Sequence, residues 1–119
     1  PRALAPEPVA HTAPPRAELQ AAMSRDASVV RDAAGLTRLS ATLSQAPARS
    51  IGGRRDFEDV ALAVAARAVA AAALARTESR GCHHREEQPQ AAPEQARSNL
   101  LRLADDQNSV LVQALAAVV

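Results

Sequence analysis

At 119 residues the chain has room for one domain with a modest core, and too little length for a catalytic domain beside a cofactor domain. Apolar residues make up 47% of it, most of them alanine, with one Phe and no Trp or Tyr. Each buried side chain therefore removes little area from water, and helices must approach closely to form a core, which argues for an all-α fold. The formal charge is +1, the fourteen basic residues are all Arg and scattered, and a lone Phe offers no platform for stacking bases, so nucleic-acid binding is not expected. The exclusive use of Arg reads as the codon bias of a GC-rich genome.

The Pro-rich segment 1–15 cannot propagate a helix or bury much surface, and reads as a linker. The chain opens at Pro1 without an initiator Met, so a piece of a longer protein is expected. Arg16 to Met23 follows Pro14-Pro15 and suits a short helix with Leu19 and Met23 on one face. A second helix is expected from Ala27 to Gln45, with Val29, Ala33, Leu36 and Leu43 on one stripe and Pro47 beyond its end. Gly35 falls inside it, which points to a neighbouring backbone passing close by.

Arg49 to Arg55 reads as a turn around Gly52-Gly53. Asp56 then offers an N-cap, and a long helix is expected to run to Arg80 with Gly81 as the residue that ends it. Phe57, Val60, Val64, Ala68, Ala71 and Ala75 form one face and Leu62 and Val69 a second, so this helix should be central and contacted from two sides. Its apolar run from Val60 to Ala75 contains Arg67 and is shorter than the roughly 20 residues a bilayer requires, so no membrane span is expected. Past Pro89, Ser98 to Leu103 and Val110 to Val119 are apolar segments around Asp105-Asp106-Gln107-Asn108. An extended segment followed by a short helix or strand is expected there. The architecture read from these elements is an all-α three-helix bundle, spectrin-like and up-down-up over residues 16–89, with a less regular tail at 90–119 packing on it.

The stretch Thr77 to Pro89, TESRGCHHREEQP, concentrates the candidate chemistry. Cys82, His83, His84, Glu86 and Glu87 are competent metal ligands. However, consecutive residues of an extended chain point in opposite directions, and zinc spacings such as C-x2-C are missing, so no metal is expected. A nucleophilic Cys82 would need a positioned His, and beyond a helix C-terminus its thiol sits at the wrong end of the dipole. The single Cys excludes an internal disulfide and suits a reducing, cytoplasmic location. Asp105 and Asp106 mark a turn sooner than an acid/base pair. With glycines at 35, 52, 53 and 81 alone, no G-x-G-x-x-G is present to hold a dinucleotide.

Three ordered segments carry a family resemblance. The run Glu78-Ser79-Arg80-Gly81, one residue, then His83, followed by Glu86, Glu87 and Pro89, resembles the E-S-R-G-x-H motif of the helical C-terminal domain of the succinate dehydrogenase and fumarate reductase flavoprotein family. Upstream, Leu19-Gln20, Met23, Val29-Val30-Arg31 and Gly35-Leu36 are similar to the segment that opens that domain, and Asp56-Phe57-Glu58 to Arg76 is similar to its long helix. Ser24, Ser28 and Gln88 depart from the usual pattern. The short tail after Arg80 looks more like the family's L-aspartate-oxidising branch than its longer dehydrogenase subunits.

The resemblance implies a parent enzyme with FAD held in a flavin-binding domain, a mobile capping domain, and this bundle docked on both. The bundle itself would hold no catalytic residue, cofactor or metal. The implied reaction is L-aspartate to iminoaspartate at the head of de novo NAD synthesis, with quinolinate synthase as a further partner. Glu78, Ser79, Arg80, Gly81 and His83 would form the docking joint, Arg80 bonding carbonyls or carboxylates there. A fumarate reductase or succinate dehydrogenase subunit, or a freestanding helical module binding a partner helix, are the alternatives.

Overall fold

The computed structural model describes residues 10–115. Its order is α1 (Arg16–Asp26), β1 (Val30–Arg31), α2 (Ala33–Ser44), α3 (Arg54–Ala75), β2 (His84–Arg85), a 3-10 turn (Pro93–Gln95), β3 (Asn99–Leu103) and β4 (Val110–Ala114). Three mutually contacting helices dominate, as expected, but two small sheets correct the all-α expectation. β1 and β2 pair in parallel, Val30 opposite His84 and Arg31 opposite Arg85. β3 and β4 form an antiparallel hairpin from Asn99 opposite Ala114 to Leu103 opposite Val110.

Pro15 precedes α1 with φ −54°, and its carbonyl accepts the amide of Leu19 at 3.0 Å. Leu19 and Ala22, three apart, turn inward, with Met23 half-buried beside them. Part of the segment read as a linker is packed: Ala13 is fully buried and its amide donates to the Pro47 carbonyl at 3.1 Å. Residues 1–9 of that segment lie outside the described residues.

The second helix starts at Ala33, six residues later than its periodicity suggested. Asp32 is its N-cap, Oδ1 accepting from the Gly35 amide at 2.6 Å, and the residues before it leave the helix to pair as β1. Val29 and Val30 are consequently exposed, while Leu36, Leu39 and Leu43 form the buried stripe. Gly35 thus sits in the first turn. A Cβ there would meet Asp32 Oδ1 at 3.1 Å and Asp26 Oδ1 at 3.2 Å, so carboxylate side chains, and no neighbouring backbone, crowd this position.

α3 spans 22 residues with Gly53 at its N-cap; Asp56 lies inside the first turn and accepts the Gly52 amide at 3.0 Å. It stops at Ala75, five residues before Arg80. Gly81 has φ +59°, the conformation expected of it, but in a separate turn whose ends, Arg80 and His83, exchange backbone hydrogen bonds of 2.8 and 3.0 Å. The inward face of α3 runs through Val60, Ala63, Ala66, Ala70 and Ala73, whereas Phe57, with 64% exposure, faces away. Leu62 and Val69 are also exposed among the described residues, so nothing described covers the second face. Small residues on this stripe let Leu39 and Leu43 of α2 lie against it in one cluster.

The hairpin lies against α3 and replaces the short helix that was one option for the tail; residues 116–119 lie outside the described residues. Its turn forms around Asp106, whose Oδ1 accepts the amides of Asn108 and Ser109 at 2.8 and 2.7 Å, with Gln107 at φ +62°.

A small alanine core is supplemented by paired charges. Asp26 is clasped by Arg25 and Arg38 at 2.8 and 2.6 Å, Asp59 by Arg16 and Arg49 at 2.5 and 2.7 Å, and Glu78 by Arg76 and Arg80 at 2.8 and 3.0 Å. All three carboxylates are buried. Scattered arginines in the sequence thus meet buried acids in the fold, whatever the codon usage.

Candidate functional site

The site is the polar junction that follows α3. A helix end leaves four carbonyls without intrahelical partners. Here Arg85, 3% exposed, reaches back from β2 and its Nη1 donates to the carbonyls of Ala73, Leu74 and Arg76 at 2.9, 3.5 and 3.3 Å. A cation at this position also meets the negative end of the helix dipole. Arg85 Nε donates to Glu87, and Glu87 Oε2 accepts the Ala33 amide at 3.3 Å, at the positive end of α2. The C-terminus of α3, Arg85, Glu87 and the N-terminus of α2 therefore form a chain of contacts that alternates in charge.

Glu78 is fully buried. Arg80 donates to it from Nε at 3.1 Å and Nη2 at 3.0 Å, the Ala92 amide at 2.8 Å and Arg76 at 2.8 Å. Arg80 foremost, against the opposing effect of desolvation, holds the Glu78 carboxyl down at about 2. Arg80 Nη2 also reaches the Ala92 carbonyl at 3.1 Å, so its partners lie within this chain, and its side chain stays partly exposed. The Ser79 hydroxyl accepts the Arg85 amide at 2.9 Å and donates to the Gln88 carbonyl at 2.7 Å.

His83 bridges two elements. An arginine can only donate, so the 3.0 Å contact from Arg31 Nη1 makes His83 Nδ1 an acceptor, and Nε2 carries the proton that it donates to the Arg76 carbonyl at 3.0 Å. Burial lowers the His83 pKa, and the charges of Arg31, Arg85 and Arg76 lower it further, against the Arg76 carbonyl. In this arrangement both ring nitrogens are engaged, Nδ1 as acceptor and Nε2 as donor. Cys82 is free and exposed, and among the described residues no three His, Cys, Asp or Glu gather where they could hold a metal.

The structure brings Glu78, Ser79, Arg80 and His83 into one network and leaves Gly81 exposed at its turn. Sequence reasoning missed Arg31, Arg76, Arg85 and Glu87 as members of it. The available signal covered Arg76 alone, a basic residue directly after the helix end; Arg85, ten residues beyond Ala75, carried none.

This arrangement defines a class: a mostly helical domain whose polar groups tie its own elements together at the junction after its longest helix. The chain belongs to the fumarate reductase flavoprotein C-terminal family, whose model matches residues 57–116. It is 68% identical over 112 residues to the L-aspartate oxidase of Mycobacterium leprae (strain TN), covering 94% of this chain and 21% of that protein. It is 64% identical over 113 residues to the L-aspartate oxidase of Mycobacterium tuberculosis (strain ATCC 25618 / H37Rv), with 95% and 21% covered. The chain thus spans about a fifth of the length of these relatives. A solved structure described as Mycobacterium smegmatis Sdh1 in complex with UQ1 superposes with a TM-score of 0.66 at 28% identity, over 87% of this chain and 20% of that one.

Proposed function

We propose that this chain is the C-terminal helical domain of an FAD-dependent L-aspartate oxidase, converting L-aspartate to iminoaspartate in the cytoplasm for de novo NAD synthesis. The observation that carries the reading is the match of nearly the whole chain to one fifth of L-aspartate oxidases at 64–68% identity. The domain docks on the flavin-binding and capping domains of the same polypeptide through the joint of Glu78, Ser79, Arg80, Gly81 and His83. Arg80, with 40% of its side chain exposed, and the exposed Gly81 are the members with surface left to offer a partner.

The residues of this chain do not fit a flavin cradle. A dinucleotide site needs a glycine-rich turn between a strand and a helix, whereas Gly52-Gly53 enters α3 from an irregular segment, and among the described residues the strand before it, β1, is two residues long. FAD therefore belongs to other parts of the parent, and the domain's role is to hold those parts in register. Quinolinate synthase finds no support in the relatives' names and is not part of the proposal.

The likeness to Sdh1 favours a second reading, the same domain in a fumarate reductase type of flavoprotein subunit. One experiment separates the two: the visible spectrum of the full-length polypeptide carrying this segment, before and after anaerobic L-aspartate and then succinate. Bleaching of a flavin band by L-aspartate is the expected result. Bleaching by succinate alone would favour the second reading, and a polypeptide with no flavin band would remove both.

A further inference from the structure

Arg67 stands in the middle of α3 with 8% of its surface exposed. Its terminal nitrogens donate to Thr12 Oγ1 at 2.7 Å, the Leu43 carbonyl at 3.0 Å and the Thr12 carbonyl at 3.4 Å, while Nε donates to no described residue. No carboxylate among the described residues lies within 4.0 Å of it, unlike the paired arginines elsewhere in the fold. A buried cation without a contacting anion is costly.

Asp106, in the β3–β4 turn, faces Arg67 without touching it: each charge acts on the other, but the pair forms no salt bridge. Both line a cavity of about 350 Å³. Of the hydroxyls on its lining, Thr12 donates to Asn108, Ser44 to the carbonyls of Ser40 and Ala41, and Ser109 to Asp106 Oδ2 at 2.6 Å, which leaves Ser40 without a described partner for its side chain. A cation and an anion on one lining, more than 4.0 Å apart, disfavour most simple ions. A phosphate dianion would be repelled by Asp106, and a bare cation by Arg67.

We infer that this cavity binds a small zwitterion of the α-amino-acid type, its carboxylate on Arg67 and its ammonium toward Asp106. The inference does not depend on the flavoprotein reading, since every group it uses lies in this chain.

The test is equilibrium dialysis of radiolabelled glycine against the full-length polypeptide carrying this segment, because glycine has both charges and no side chain. Saturable binding is expected with a Kd of about 1 mM or tighter, at a site that Arg67→Met and Asp106→Asn each weaken at least about tenfold. Asp106→Asn keeps an oxygen for the Asn108 and Ser109 amides, so it decides the matter should Arg67→Met fail to fold. Acetate, lacking the ammonium, should compete at least about tenfold more weakly than glycine. The absence of saturable glycine binding, binding unchanged in Asp106→Asn, or acetate competing as well as glycine would each overturn the inference.

Discussion

His83 shows how one side chain links pH to stability. Its pKa in the fold lies below the ordinary 6.5, so on acidification the unfolded chain takes up a proton before the folded chain does. Stability is then fully present above about 6.5 and falls as the pH drops toward the folded value. Melting of the 119-residue chain should shift downward between about pH 7.5 and 5.5, and His83→Gln, which removes the titrating group, should flatten that limb. An equal shift in the variant would sink this account. Glu78 acts at lower pH with the same sign: its carboxyl lies at about 2 against an ordinary 4.5, so its contribution is present above 4.5 and is lost toward about 2. Glu78, Ser79, Arg80 and His83 were singled out by the motif that carries the family resemblance, and the fold joins them in one intrachain network. Arg85 was not, because its function depends on where α3 ends. Replacing it with Met should cost about 3 kcal/mol by stranding the α3 carbonyls, measurable by denaturant titration.

The helices themselves were legible from proline, glycine and periodicity, but their boundaries moved wherever a side chain outcompeted the helix. Asp32 is the clearest case. Periodicity carried α2 back to Ala27, yet an Asp three residues before Gly35 offers an N-cap, and the segment before it found a strand partner 54 residues away in β2. Asp32→Ala should cost about 1 kcal/mol by denaturant titration, with the β1–β2 pair still formed. A loss within error would mean the cap is incidental. α3 lost its predicted last turn for the complementary reason: Arg85 satisfies the carbonyls near Ala75, so nothing requires the helix to continue to Gly81. Long-range partners of this kind leave no periodic trace. The inward face of α3 was misread because alanine recurs on every side of the helix beyond Val60, and a stripe of Ala among other Ala has little contrast.

At the scale of the whole molecule, a core dominated by alanine gains little area per residue, and the few leucines in it carry disproportionate weight. Leu39→Ala should therefore cost about 2–5 kcal/mol, read as a drop in the denaturation midpoint. The outward stripe of α3 raises the opposite question. Leu62 and Val69, seven residues apart on one face, are 41% and 37% exposed, although their pattern asks for cover on a second side. If this domain docks on a flavoprotein body as proposed, that stripe is where an additional apolar surface would be buried. Leu62→Glu with Val69→Glu should leave the stability of the 119-residue chain within about 0.5 kcal/mol, because neither side chain belongs to the core. In the full-length polypeptide the same pair should loosen the domain, seen as faster proteolytic cleavage and earlier release of flavin on heating. Unchanged cleavage and flavin retention would place the docking contact elsewhere, leaving the polar joint around Arg80 to hold the domains together alone.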